Sequence, residues 1–527
     1  MFLFLGHGDQ SVGLVSLVKP HCANNMLLKY FYDKALAHAS YMVGCQKTGE
    51  AVIIDPGRDI AVYLAAADAE GMRIAAAADT HIHADYVSGA RELAERCGAK
   101  LYLSDAGPPE WKVSFADDYD HQLLRDGDHF HIGNIRMEVL HTPGHTPESI
   151  SFILTDEGGG ASTPMGIFTG DFVFVGSIGR PDLLEEAAGL AGTAAAGAKD
   201  LFASIRKFNQ LPDHLQVWPA HGAGSACGKG LGAIPSSTVG YEKRYNPALQ
   251  FEDEDAFVDY ILSEQPEAPR YFAVMKRVNK EGPKVLGNIG MPPQLEPDQW
   301  GAIAGAEQVI DTRGTHAYAS GHAAGSYNIP LSYLSAWAGW FVAYERPVFL
   351  VTPPADRPEA MRVLRKIGID TVSGFFDPAA LESAGLLTGT YLEEPPAIVA
   401  ERLREGNGIL IDVRGDTEWK EQHIVDAKRC FLAHLPERLS EYAGDCALIF
   451  QCRSGRRSAI AASLAKAAGV EQVVNLTGGI RAWADAGLPV SEAVHDLGGP
   501  GGPRDEASIV EGACQSQAVF WNAQCPR

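Results

Sequence analysis

In the first half of this chain the chemically reactive side chains stand where strands end. The text "AAAADTHIHADY" closes on His81, His83, Asp85 and Tyr86. "MEVLHTPGHT" closes on His141 and His145, "GIFTGDF" on Asp171, and "PAHGAGS" holds His221. The strand-like runs among them are short and apolar and give way to turns rich in Gly, Pro or Asp, as buried strands do. A chain built this way must gather its strand ends at one edge of a sheet, which restricts it to an α/β architecture with a polar cluster on that edge. Histidine and aspartate are ready ligands for first-row metals. A lone histidine is more often a satisfied core residue, but this ordered set reads as a metal site.

At 527 residues the chain is too long for one core, and roughly three domains are expected. The formal net charge of -22 argues against a nucleic-acid partner or an anionic membrane surface, both of which need a basic face. The nine cysteines include no C-x-x-C pair, so neither a zinc ribbon nor a disulfide framework is expected. No apolar run reaches the length of a membrane span. The first residues lack the basic start of a signal peptide, and a cytoplasmic, reducing location is expected.

Residues 26–265 read as one α/β unit after an extension, 1–25, that is expected to be disordered. Further on the chain repeats itself. "VIDTRGTHAYASGHAAGSYNIP" (309–330) resembles "LIDVRGDTEWKEQHIVDAKRCF" (410–431), with Asp311 and Asp412, Arg313 and Arg414, and His322 and His423 at one constant offset. Two copies of a small α/β domain are expected, at 290–392 and 395–492. A Gly/Pro linker and tail follow at 493–527.

The order H-x-H-x-D, HTPGHT, GD and PAHG resembles the metallo-β-lactamase superfamily. That resemblance implies an αββα sandwich with a metal at one edge. Its hydrolases bind two metals and carry a histidine where this chain has Tyr86. A phenol is a poor stand-in for imidazole in a second zinc site, so a single ion is expected. A lone ion held by two histidines and one aspartate suits Fe(II) and oxygen chemistry.

The stretches "THIHADYVSGA", "HTPGHTPESISF", "FTGDFVFVGSIGRPDL" and "PAHGAGSACGK" are most similar to the persulfide dioxygenase branch. The resemblance implies one Fe(II) per chain on His81, His141 and Asp171. His83, Asp85, Tyr86 and His221 would orient those ligands by hydrogen bonding. Arg180 would steady a persulfide anion. Cys227 and Lys229, in a Gly-rich loop, are expected to contact an anionic thiol carrier such as coenzyme A or a glutathione-like tripeptide.

"FQCRSGRRSA" (450–459) places Cys452 at a strand-to-helix turn. Arginines and a helix N-terminus favour a thiolate there. The pattern, with "LTGGIRAWADAGLPV" after it, resembles a rhodanese domain. That resemblance implies that Cys452 carries sulfane sulfur, cradled by the backbone of Arg453, Ser454, Gly455, Arg456, Arg457 and Ser458. The first copy has "LVTPPADRPEA" in that place and no thiol, so it is expected to be a degenerate, structural rhodanese-like domain.

The expected fold is thus α/β multidomain: the sandwich, then two rhodanese-like domains with parallel sheets. The expected activity is persulfide dioxygenase coupled to thiosulfate sulfurtransferase, serving sulfide detoxification. Its partners would be a small thiol persulfide, O2 and sulfite or thiosulfate. A homo-oligomer is expected by resemblance. The rivals are a dizinc glyoxalase II-type thioester hydrolase fused to a sulfurtransferase, and a non-enzymatic sulfur carrier.

Overall fold

In the computed structural model, the described residues are 26–492 apart from 184, 186–191, 224, 226, 229, 264, 266, 443 and 445. The expectations for 1–25, 493–527 and Lys229 fall outside them.

The first unit is built on two six-stranded sheets. One runs β1 (Met26–Asp33), β2 (His38–Cys45), β3 (Glu50–Ile54), β4 (Arg73–Ala78), β5 (Lys100–Ser104), β6 (His121–Leu124), in chain order. The other contains β7 (His129–Ile132), β8 (Ile135–His141), β9 (Ile150–Asp156) and β10 (Gly166–Gly170). Beyond a small hairpin, β11 (Val173–Phe174) and β12 (Ser177–Ile178), it is completed by β13 (Gln216–Pro219) and β14 (Ser237–Thr238). Its order is β14-β13-β10-β9-β8-β7.

β3, β4, β9 and β10 read as mostly apolar text because both of their faces are buried, whereas β7 and β8 alternate. From β2 and β3, Ala39, Tyr41, Val43, Val52 and Ile54 enter the core between the sheets. Their neighbours Met42, Ala51 and Ile53 turn the other way, onto the helices Ala61–Glu70 and Ala90–Cys97. The second sheet is covered by Thr193–Phe208 and Glu254–Leu262. The result is the αββα sandwich. Its metal-type side chains lie on the loops that leave β4, β8, β10 and β13.

A helix, Tyr271–Glu281, leads to two further sheets. The first holds β15 (Gln294–Leu295), β16 (Gln308–Asp311), β17 (Ser326–Asn328), β18 (Val348–Val351) and β19 (Val372–Phe376), ordered β15-β19-β18-β16-β17. The second holds β20 (Leu392–Glu394), β21 (Gly408–Asp412), β23 (Lys428–Arg429), β24 (Ala447–Gln451) and β25 (Val473–Leu476), ordered β20-β25-β24-β21-β23. A separate antiparallel pair joins β22 (Gln422–Ile424) to β26 (Val490–Glu492). Both five-stranded sheets are parallel throughout, and strand for strand they have the same order.

The copies share one packed interior that also takes in Val87 of the first unit and Tyr271, Phe272 and Met275 of the connecting helix. No helix among the described residues is long and apolar enough to cross a membrane.

Candidate metal centre and sulfur-transfer loop

Three side chains from three loops converge at the sandwich edge: His81, His145 and Asp171, all buried. His145 Nε2 lies 3.5 Å and His81 Nε2 3.9 Å from Asp171 Oδ2. The other nitrogen of each ring is committed. His145 Nδ1 meets the Arg180 carbonyl at 2.9 Å, and His81 Nδ1 meets Thr80 Oγ1 at 3.0 Å. Burial pushes both imidazoles below their ordinary pKa, which keeps them neutral with a lone pair to offer.

His81 Nε2 and both Asp171 oxygens are buried without a hydrogen-bond partner. Unpaired buried polar atoms cost on the order of 1–3 kcal/mol each. A cation at their common focus would offset that cost, so this donor set fits a metal ion.

The ligand assignment from the sequence needs one correction. His145, not His141, stands beside His81 and Asp171. His141 is the last residue of β8 and half exposed, with Nε2 held 3.0 Å from the Pro147 carbonyl. The turn then doubles back through Gly144, whose φ of 140° and lack of a Cβ let it press against Leu201. That approach carries His145 into the site. The HTPGHT spacing alone cannot say which of its two histidines turns inward.

A second group adjoins the first. Asp85, His221 and Cys227 bring one ligand atom each within 4.8 Å of the others. His221 Nε2 lies 3.2 Å from Asp85 Oδ2 and 3.4 Å from Asp171 Oδ1, so Asp171 faces both groups. The resemblance assigns Asp85 and His221 only as orienting residues; the structure groups Cys227 with them. Cys227 is buried, and burial, then Asp171 and Asp85, push its thiol well above the ordinary cysteine value.

His83 and Tyr86 belong to a third layer. His83 Nε2 is 3.2 Å from Asp55 and 3.8 Å from Asp79. Burial opposes its charge, but Asp55 and Asp79 outweigh burial and raise it to about 9. Tyr86 is buried between His38 and His83, with ring centroids at 3.8 and 4.5 Å. Its hydroxyl donates to the carbonyl of Asp55, whose carboxylate groups with Asp79 and His83, at 3.3 Å.

Sequence reasoning missed Asp55 and His38. Asp55 accepts from Thr80 through both carboxylate oxygens, while its carbonyl also meets His38 Nε2 at 3.0 Å. It holds a φ of 50°, a conformation that non-glycine residues seldom adopt. Its place at the end of the "AVIID" strand was the available signal. Behind Tyr86 and His38 lies a cavity of about 590 Å³ that Arg362 and Lys366 of the first repeat also line.

Arg180 is almost fully buried and grips Asp182 through Nε and Nη2 at 2.7 and 2.5 Å. Its backbone also meets the centre, the carbonyl on His145 and the N–H on the Cys227 carbonyl at 2.9 Å.

Cys452 leaves β24 into the loop before the helix Arg456–Ala467 and is buried, with Ser458 Oγ donating to its sulfur at 3.4 Å. The first turn of that helix, Arg456 to Ser458, precedes its first internal bond, from Ala459 N–H to the Gly455 carbonyl. Arg453 and Ser454 complete the loop. The arginines also have attachments of their own. Arg457 pairs with Glu418 at 2.6 and 2.8 Å, and Arg456 donates to Tyr333 of the first repeat at 2.8 Å.

Comparison with known proteins places the two parts of the chain in known families. The metallo-beta-lactamase superfamily model matches residues 33–221, and the rhodanese-like domain model matches 395–486. A solved metallo-beta-lactamase from Staphylococcus aureus subsp. aureus COL is 42% identical, covers 67% of this chain and 99% of its own, and superposes with a TM-score of 0.61. The mitochondrial persulfide dioxygenase of Bos taurus is 27% identical over 44% of this chain and 78% of its own length. A beta-lactamase hydrolase-like protein of Xylella fastidiosa is 30% identical over 43% of this chain, which spans about half, 53%, of that relative. The chain belongs to the metallo-beta-lactamase superfamily, has persulfide dioxygenase homologues, and carries a rhodanese-like domain toward its C-terminus.

Proposed function

We propose that this protein is a non-haem iron persulfide dioxygenase coupled to a rhodanese sulfurtransferase. The observation that carries the reading is the buried His81–His145–Asp171 group, with the Tyr86 hydroxyl committed to the Asp55 carbonyl, on one chain with Cys452. Residues 26–265 would form the oxygenase, 290–392 a degenerate rhodanese-like domain, and 395–492 the active one.

One Fe(II) ion, held by His81, His145 and Asp171, would supply the chemistry of O2. The residues around it have separate tasks. Arg180 and Thr80 fix the imidazole planes of His145 and His81. Cys227 offers a thiol at the edge of the centre, where it can take part in holding a persulfide. The balanced reaction is RSSH + O2 + H2O → RSH + SO3²⁻ + 2H⁺. At the other site Cys452 persulfide would pass its outer sulfur to sulfite, giving Cys452 thiol and thiosulfate, and the same step reversed would load Cys452 from thiosulfate. The persulfide carrier would be a small thiol such as coenzyme A or a glutathione-like tripeptide, and the role would be sulfide detoxification in the cytoplasm.

One observation favours a second reading. The Asp85–His221–Cys227 group beside a shared Asp171 is also where a second ion of a dizinc thioester hydrolase would sit.

Metal content and oxygen uptake, measured on one anaerobically purified sample given a small-thiol persulfide, decide between them. The dioxygenase reading expects about one iron per chain, O2 consumed and sulfite or thiosulfate formed. Two zinc ions and no oxygen uptake would sink it. In the same assay His145→Ala is expected to remove metal and activity together, while His141→Ala retains most of both. The opposite result would return the ligand to His141.

A further inference from the structure

The loop that carries His81 and Asp85 is held by parts of the chain far from it in sequence. Asn279 lies on the helix Tyr271–Glu281, beyond the residues matched by either family model. It is only 6% exposed, and its amide serves three backbone groups of this loop. Nδ2 donates to the carbonyls of His83 and Tyr86, both at 2.7 Å, and Oδ1 accepts from Ser88 N–H at 2.8 Å. Ser88 Oγ in turn donates to the carboxylate of Asp79, which lies beside His83.

The residue between Tyr86 and Ser88 is clamped from the other side. Val87 N–H donates to the Lys366 carbonyl at 2.8 Å, and its side chain joins the interior of the two repeats. Arg58, three residues after Asp55, is almost fully buried. It grips Asp370 of the first repeat through two bonds of 2.7 Å and also donates to the carbonyls of Arg365 and Lys284.

Burying an amide is costly unless its hydrogen bonds are made. Here they are made almost entirely with one loop. An asparagine serving only the fold would gain as much by bonding its own helix. We propose that Asn279 is a positioning residue for the metal centre: it fixes the backbone from His83 to Ser88, and so steadies the presentation of His81 and Asp85. It touches neither metal nor substrate. The inference assumes a metal ion on His81, His145 and Asp171, but not the oxygen chemistry assigned to it.

The test uses the full chain loaded with Co(II), read by its visible spectrum and by the rate of metal loss to a chelator. Neither readout requires turnover, so a failed oxygenase assay leaves the result intact. In Asn279→Asp a carboxylate oxygen replaces the donor facing the two carbonyls. Metal loss is expected to quicken roughly tenfold or more, with a changed spectrum. Sulfur transfer at Cys452 should stay within about twofold of the parent, as expected for a distant, independent site.

Met275→Ala is the companion variant. It removes packing from the same helix and leaves the Asn279 bonds in place. It should lower the melting temperature and keep the parental spectrum. An unchanged spectrum and rate in Asn279→Asp would overturn the proposal. So would an equal spectral change in Met275→Ala, or a parallel loss of sulfur transfer in Asn279→Asp and Asn279→Ser, since either would assign the effect to the fold alone.

Discussion

The two repeats match in their scaffold and part company at one loop. In the first, Arg313 bonds Asp311 through Nε and Nη2 and reaches the Gly321 carbonyl. In the second, Arg414 does the same with Asp412 and the Gln422 carbonyl. His322 stacks on Tyr318 and His423 on Trp419, each with centroids 4.1 Å apart and Nδ1 on the carbonyl four residues back. After β24, however, the chain offers Cys452 and a run of N–H groups into a helix. After β18 it offers Thr352, whose hydroxyl pairs with Thr312, and then Pro353 and Pro354, which have no N–H to give. The scaffold can therefore persist without the chemistry. The first repeat keeps a structural use, since its helix Arg357–Lys366 accepts from Val87 N–H in the metal loop and its Asp370 grips Arg58.

Cys452→Ser is expected to have the largest effect: loss of thiosulfate-dependent sulfur transfer on the order of a thousandfold or more. Adding Thr352→Cys to that variant should restore nothing, because the prolines leave no cradle for a sulfur anion. Recovered transfer would break the distinction between the copies.

Next is Gly479→Ala. Gly479 has a φ of 58°, and a Cβ there would stand 2.0 Å from the Cys452 carbonyl. A loss of about 2–4 kcal/mol in the second repeat is expected, read as a lower urea midpoint in its unfolding. A midpoint equal to the parent's would show that the loop gives way freely.

Tyr333→Phe removes the hydroxyl that holds Arg456 across the two repeats. We expect the KM for thiosulfate to rise less than about tenfold with kcat nearly kept, as for loss of one charge-assisted hydrogen bond. A fall in kcat alone would argue against a role in binding.

Glu418→Gln should have the smallest effect. Burial pushes the Glu418 carboxyl upward, but the hydrogen bond and charge of Arg457 prevail and hold it below its ordinary value. A group depressed in the folded state stabilises fully above its unfolded pKa of about 4.3, and that contribution fades as pH falls through the folded value. Parent and variant should therefore differ by about 1 kcal/mol or less at neutral pH and converge as pH falls through the depressed folded value. The first repeat has Ala317 in place of Glu418 and serves as the internal reference. A difference that persists in acid would assign the effect to packing.

Much of the site was legible before the fold. Period and turn chemistry revealed the strand-end residues, and the missing thiol at Thr352 is plain in the text. What could not be read was which side chains turn inward. His141 and His145 share one motif, and the packing of Gly144 against Leu201 chooses between them. The arginines of "CRSGRR" read as thiolate partners, but Glu418 and Tyr333, distant in sequence, engage two of them. Asn279 and His38 left no local signature, since their partners lie 193 and 17 residues away respectively.

By itself the sequence determined the class of architecture, the repeat, the loss of the thiol in one copy and its presence in the other. These follow from local pattern: alternating burial, turn residues, and the identity of one residue at one strand end. The tertiary structure decided which histidine joins His81 and Asp171, the proximity of Cys227 to Asp85 and His221, and the bonds that hold the loop from His83 to Ser88. Those depend on the approach of side chains from separate loops to within a few ångströms, and only the packing of sheets, helices and repeats against one another sets such distances.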